Sequence, residues 1–363
     1  MKLKLFFFPI VFFLGAFILD KQLFIGRFED TFLRTGTFLN FDHKVDMLDE
    51  LAAYLIAPAR KKTLVIFGNS RTMSFENSYI ESKYKDWIWF NFSVPGGTTD
   101  YFLFLIQEMK RKGIRPDAVV LTVTPQGFNT APAVPMDEVL ISGLSFPFIA
   151  RYANRYTTDD LMNYAAKKTF WTYRYRPKAE VILHRLEHDG LQMRIFRQFQ
   201  FDTATRLKVS RGSVPFQFQG IPAQDDEFLM AHAKNTWQDF FTPYKLSEGQ
   251  FAFTDDSLRI LTDARIPVIL LWARVQKNLR QMKDTVVVTP RGEKPETVRS
   301  LWAPRMTALA AKYQVPFYDM NYGNSIACDH FFDSSHLASV CFPEFSDYIM
   351  RAVLDQKPEG QKP

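Results

Sequence analysis

Short uninterrupted apolar runs alternate along the chain with longer stretches in which apolar residues recur every three or four positions. The runs Leu64–Phe67, Trp87–Phe92, Ala118–Val123, Pro267–Trp272 and Val315–Tyr318 read as strands. The stretches Glu76–Lys83, Thr99–Lys112, Asp255–Ala264, Glu296–Lys312 and Leu337–Leu354 read as helices. Strands without polar alternation are buried on both faces, and the helices between them supply the covers. The pattern therefore predicts an α/β fold around a parallel sheet. Val45–Ala57 adds an amphipathic helix (Met47, Leu48, Leu51, Leu55) that stops at Pro58. Between residues 131 and 254 the rhythm breaks. That segment is aromatic and basic, with helical periods near Asp159–Lys168 and Ala179–Phe199 and no strand pattern. It is expected to be a helical insertion that caps the core. The α/β domain is then split into residues 61–130 and 255–354, followed by a polar tail at 355–363.

The N-terminus is patterned differently. Lys2 and Lys4 precede fifteen residues without charge, Leu5 to Leu19. Such a run is shorter than the roughly 20 residues that span a bilayer as a helix, but Lys4 and Lys21 can extend their ammonium groups to the two interfaces. Asp20-Lys21-Gln22-Leu23 lacks the small residues a signal peptidase needs, and no cysteine follows closely enough to carry a lipid. Residues 1–22 are therefore expected to form an uncleaved, single-pass membrane anchor, and residues 23–60 a juxtamembrane connector and helix. Lys2 and Lys4 are balanced by Lys21, Arg27 and Arg34, so charge leaves the orientation open.

Composition narrows the class. Of 363 residues, 47% are apolar and 23% charged, proportions that exclude disorder, collagen and coiled coil as the main theme. The net charge of +6 is scattered over pairs such as Lys61-Lys62 and Arg111-Lys112. Without a block of like charges it reads as solvated surface, and no nucleic-acid partner is expected. Two cysteines exclude a disulfide framework and any cysteine-rich metal or iron–sulfur site.

Candidate chemistry gathers at predicted strand ends. The first strand runs into Phe67-Gly68-Asn69-Ser70-Arg71-Thr72, where a serine enters a helical turn beside free amides that favour developing negative charge. The second glycine of an α/β-hydrolase nucleophile elbow is missing. Near the C-terminus stands Asp333-Ser334-Ser335-His336. A spacing of three puts both side chains on one side of a turn, so the carboxylate can hold one imidazole nitrogen while the other faces a serine hydroxyl. Between them, Gly96 follows the second strand and Asn129 the third, and a glycine amide with an asparagine side chain makes a suitable pair of oxyanion donors.

These blocks resemble the SGNH, or GDSL-like, hydrolase superfamily, over roughly residues 63–130 and 255–354. The resemblance implies a flavodoxin-like three-layer α/β/α fold with a central parallel sheet. It implies Ser70 as nucleophile, His336 as general base oriented by Asp333, and an oxyanion hole formed by Ser70, Gly96 and Asn129, with no cofactor or metal. Asn69 and Thr130 stand where aspartates are common in that superfamily, and Ala338 and Cys341 replace an asparagine and a glycine. An anchor ahead of such a domain is similar to bacterial envelope proteins of the D-alanyl-transfer and alginate O-acetylation type. The implied activity is that of a serine esterase or O-acyltransferase acting on an ester of an envelope polymer or lipid, on the extracytoplasmic side of the cytoplasmic membrane. The alternative is a catalytically inactive member that binds or assembles envelope components.

Two further constellations compete. His184-Arg185-Leu186-Glu187-His188 fits the H-x-x-E-H pattern of inverted zinc peptidases, in a strongly basic stretch better read as a solvated helix face. His330, Asp333 and His336 would make a three-ligand metal face, though the serine triad already accounts for two of them. His43 and His232 have no evident partners. Cys328 and Cys341 bracket the acid–base pair; they are expected either to bond and staple that loop or to stay buried as thiols.

Overall fold

Five parallel strands form a single sheet: β1 (Lys62–Phe67), β2 (Trp87–Asn91), β3 (Ala118–Thr122), β4 (Val268–Trp272) and β5 (Phe317–Asp319), in the spatial order β2-β1-β3-β4-β5. The structure, a computed structural model, describes residues 2–23, 36–130, 139–175, 179, 183, 191–215, 221–323 and 325–355. Thirteen α-helices accompany the sheet among these residues. All five strands lie where the apolar runs predict them, each within two residues at either end.

Strand alternation explains the layers. Leu64, Ile66, Trp89, Val120 and Leu271 enter one core, while Val65, Phe67, Phe90, Leu121 and Leu270 enter another. The second core is closed by helices Thr99–Arg111, Glu248–Asp263 and Val298–Lys312, and the first by Asn77–Lys83 and Phe342–Leu354. The result is a three-layer α/β/α arrangement. Its strand order is that of doubly wound flavodoxin-like sheets, in which ligands bind where the order reverses, between β1 and β3. The register there pairs Phe67 with Leu121, so the loops that follow the two strands leave the sheet side by side.

The helices feeding β3, β4 and β5 end alike. Gly113, Arg265 and Gln314 take φ of 69°, 54° and 54°, and the next amide, from Ile114, Ile266 or Val315, returns to the helix carbonyl of Met109, Leu261 or Ala310. This left-handed cap satisfies terminal carbonyls and buries the apolar residue that opens the path to the strand.

Between β3 and β4, the described residues form helices and one isolated bridge, Asn129 to Leu246. The helix expected at Asp255–Ala264 is the second half of a longer one, Glu248–Asp263, whose start is set by the Ser247 hydroxyl accepting from the Gln250 amide. Helices Asp226–Phe241 and Lys277–Thr285 were not evident in the sequence pattern; they bury Trp237, Phe241 and Leu279 against each other in a separate apolar cluster. Most of the expected helix Ala179–Phe199, and the tail from 356, lie outside the described residues.

The expected membrane-spanning segment is not found. Among the described residues no helix is long and apolar enough to cross a membrane. Residues Lys2–Gln22 do form a helix, but the uncharged run of fifteen rises only ~22 Å at 1.5 Å per residue, against a hydrocarbon core of about 30 Å. Its apolar side chains are nonetheless open, with Phe8 and Phe12 each 69% exposed. The helix is fastened at its C-terminal end. Asp20 accepts from the amides of Trp171 (2.6 Å) and Thr172 (2.8 Å), Lys21 donates to the Thr169 carbonyl (2.6 Å), and Phe13 packs edge-on against Phe170.

Candidate active site

Beyond β1 the chain must turn sharply beneath the loop that follows β2, and Gly68 permits it. A Cβ at Gly68 would lie 2.0 Å from the Thr72 hydroxyl, and one at Gly97 would lie 2.4 Å from the Gly68 carbonyl. Asn69 then caps the short 3₁₀ turn Ser70–Thr72, accepting from the Arg71 amide (3.1 Å) and donating through Nδ2 to Thr124 Oγ1 (3.0 Å). Asn69 thus ties the β1 loop to the β3 loop.

Ser70 Oγ lies 2.7 Å from His336 Nε2, and His336 Nδ1 lies 2.8 and 3.0 Å from the two oxygens of Asp333. A carboxylate only accepts, so Nδ1 carries the ring proton and Nε2 is left to accept from the serine hydroxyl. The Asp333 carboxylate also accepts from the backbone amides of Ser335 (2.6 Å) and His336 (2.9 Å), which fixes the turn that presents the imidazole. Burial raises the Asp333 carboxyl, but the hydrogen bond and charge interaction with His336, together with the Ser335 amide, outweigh it and hold the group below the ordinary carboxylate range. Phe332 stacks on the imidazole at 5.2 Å.

The loop carrying this pair is closed by a disulfide between Cys328 and Cys341, whose Cα atoms are 5.5 Å apart. It is braced from below by His232 in the helix Asp226–Phe241. The His232 Nδ1 atom accepts from the Ser334 amide (3.3 Å) and meets the hydroxyls of Ser334 (3.0 Å) and Thr236 (3.2 Å). Nothing in the local sequence marks His232, because its partner lies 102 residues away.

Arg71, directly after Ser70, is the second brace. Its guanidinium is almost wholly buried, and donates to Gln126 Oε1 (2.8 Å), the Ser335 carbonyl (3.2 Å) and the Ser335 hydroxyl (3.3 Å). Burial lowers its pKa to about 10. One side chain therefore spans the loops after β1 and β3 and the turn that holds His336.

These groups open onto a cavity of about 220 Å³ lined by Ser70, His336, Gly96, Thr124, Gln126 and Phe240, among others. Gly96, at φ 64°, stands where the sequence places it, and neither its amide nor that of Ser70 has an acceptor among the described residues. Asn129 is a correction. It does not line the cavity: its Nδ2 donates to the carbonyls of Pro243 (2.9 Å) and Phe240 (3.2 Å), and its Oδ1 accepts from the Lys245 amide (2.8 Å). The turn Pro125–Phe128 after β3 carries it past the cavity, and the amide-bearing residue of the same loop that lines the cavity is Gln126.

His330 is exposed, Asp333 and His336 are engaged with each other, and no group of three metal-ligating side chains forms among the described residues. His184, Glu187 and His188 lie outside the described residues.

The sequence matches the model of the family described as Protein of unknown function (DUF1574) over residues 1–353. The chain belongs to the DUF1574 family. No curated protein matches it. The DUF1574 match runs from the N-terminal helix into the last helix of the α/β layers.

Proposed function

We propose that this chain is a serine esterase or O-acyltransferase of the SGNH type that works through an acyl-enzyme on Ser70. The observation that carries the reading is the continuous hydrogen-bond line from Asp333 through His336 to Ser70 Oγ, at 2.8 and 2.7 Å, at the switch point of a doubly wound sheet. In the first half-reaction the Ser70 proton passes to His336 Nε2 as Oγ bonds to the ester carbonyl carbon, and the carbonyl electron pair moves onto oxygen. Collapse expels the alcohol, which takes the proton from His336. Water, or an acceptor hydroxyl, repeats the sequence in reverse.

The cavity is smaller than the roughly 300–1,000 Å³ typical of drug-sized ligands, which favours a short acyl group. The exposed apolar helix Lys2–Gln22 supports attachment to a membrane: a run of open Phe, Ile, Val and Leu side chains is unfavourable in water. On this reading the short helix is held at the bilayer with Lys4 and Lys21 at its ends, the α/β domain lies on the extracytoplasmic side, and the substrate is an ester of an envelope polymer or lipid. The disulfide accords with an oxidising compartment.

Labelling with a fluorophosphonate probe tests the reading. The wild-type protein is expected to label, and Ser70→Ala and His336→Ala to abolish labelling. A correctly folded wild type that does not label would overturn it in favour of a binding or assembly role.

A further inference from the structure

The superfamily resemblance implies a side-chain donor beside the amides of Ser70 and Gly96, and Asn129 cannot be it while its amide is bonded to the carbonyls of Phe240 and Pro243. The loop after β3 brings a different amide to the cavity. Gln126 follows Pro125 in the turn Pro125–Phe128 and is one of the residues lining the space that Ser70, Gly96 and His336 share. Its orientation is fixed by chemistry. A guanidinium has donors and no acceptor, so the Gln126 atom 2.8 Å from Arg71 Nη2 is the carbonyl oxygen. The amide nitrogen is then turned away from Arg71, and it has no acceptor among the described residues. A side-chain N–H₂ on a residue of the cavity wall, without an acceptor among the described residues and held through its carbonyl by a buried neighbour of the nucleophile, has the features of a preorganised oxyanion donor.

We infer that Gln126 Nε2 is the side-chain donor of the oxyanion hole, and that Arg71 is the positioning residue that orients it. The inference rests on the reading of Ser70 as nucleophile. As Oγ bonds to the carbonyl carbon and its proton moves to His336, the negative charge that develops on the carbonyl oxygen is taken up by three donors: the amides of Ser70 and Gly96 and Gln126 Nε2. Arg71 also bonds to Ser335, so the same guanidinium sets the Gln126 donor and the backbone beside His336, linking the two halves of the machinery.

The test uses the full-length protein, with fluorophosphonate labelling rates and steady-state hydrolysis of p-nitrophenyl acetate, alongside thermal melts. Gln126→Ala is expected to slow labelling and kcat by about 10²–10³-fold with KM and melting temperature near those of the wild type. Gln126→Glu keeps the shape and removes the donor, so it serves if Gln126→Ala misfolds; an equal or larger loss is expected. Arg71→Met should lower kcat, and the double variant with Gln126→Ala should be no slower than the slower single variant, a non-additivity that a purely structural role for Arg71 would not produce. Asn129→Ala should lower the melting temperature and leave the labelling rate of folded protein near wild type. Wild-type labelling with undiminished rates in both Gln126 variants would overturn this inference and leave the nucleophile standing. A large rate loss in Asn129→Ala alone would return the role to Asn129. A wild type that never labels would remove the parent reading, and this inference with it.

Discussion

Burial alone would make the Asp333 carboxyl harder to ionise; donors from His336 and Ser335 reverse the balance and lower it below its ordinary value of 3.8. A depressed carboxylate contributes stability that is present above its unfolded pKa and disappears as the pH falls through the folded one. The stability difference between wild type and Asp333→Asn should therefore be larger at pH 7 than at a pH well below 3.8. Thermal denaturation at the two pH values checks this, and an equal gap at both would mean that the carboxylate gains nothing from its donors. The residues involved were legible in different degrees. Asp333 and His336 announce themselves because their chemistry is local, three positions apart in one turn. Asn129, Gln126, Arg71 and His232 do not, since their roles are decided by partners 55 to 264 residues away. An asparagine at a strand end looks the same in sequence whether its amide faces an oxyanion or clamps a remote turn.

The stapled loop is the element on which the site depends most. Residues 328–341 contain both Asp333 and His336, and the loop has no regular secondary structure until the turn Ser339–Cys341 that precedes the last helix. On the chain-entropy model, closing a loop of about 15 residues stabilises by about 3 kcal/mol. Replacing both cysteines by serine should lower the unfolding free energy by about that amount, measured in guanidinium chloride, and should slow Ser70 labelling. Unchanged stability and labelling would show that Arg71 and His232 hold the loop without the bond. Strands were legible because a doubly covered strand is apolar throughout, with no partner needed to explain it. Helix ends were less so. Gly113 signals a left-handed cap, whereas Arg265 and Gln314 adopt the same conformation with no local cue. The helix Lys277–Thr285 was missed because it buries only Leu279 and Lys283, too few for a stripe.

Across the whole molecule, the candidate site and the apolar N-terminal helix lie on different elements. The triad assembles where the loops after β1 and β3 diverge, and the chain between β3 and β4 walls it with Phe240 and braces it through His232. The same intervening chain fastens the N-terminal helix through Thr169, Trp171 and Thr172. On the proposed reading, that shared chain would hold the site near a surface-bound substrate. The apolar character of that terminus was plain in the sequence; that Asp20 and Lys21 turn to the protein as the apolar run ends was not, because their partners lie 151 and 148 residues away.

The central claim is a covalent acyl intermediate on Ser70, and intact-mass spectrometry after brief exposure to p-nitrophenyl acetate tests it most directly. The account predicts one added acetyl group on the wild type, located by peptide mapping to Ser70, and none on Ser70→Ala or His336→Ala. A folded wild type that never acquires the group, or acquires it equally in Ser70→Ala, would contradict it.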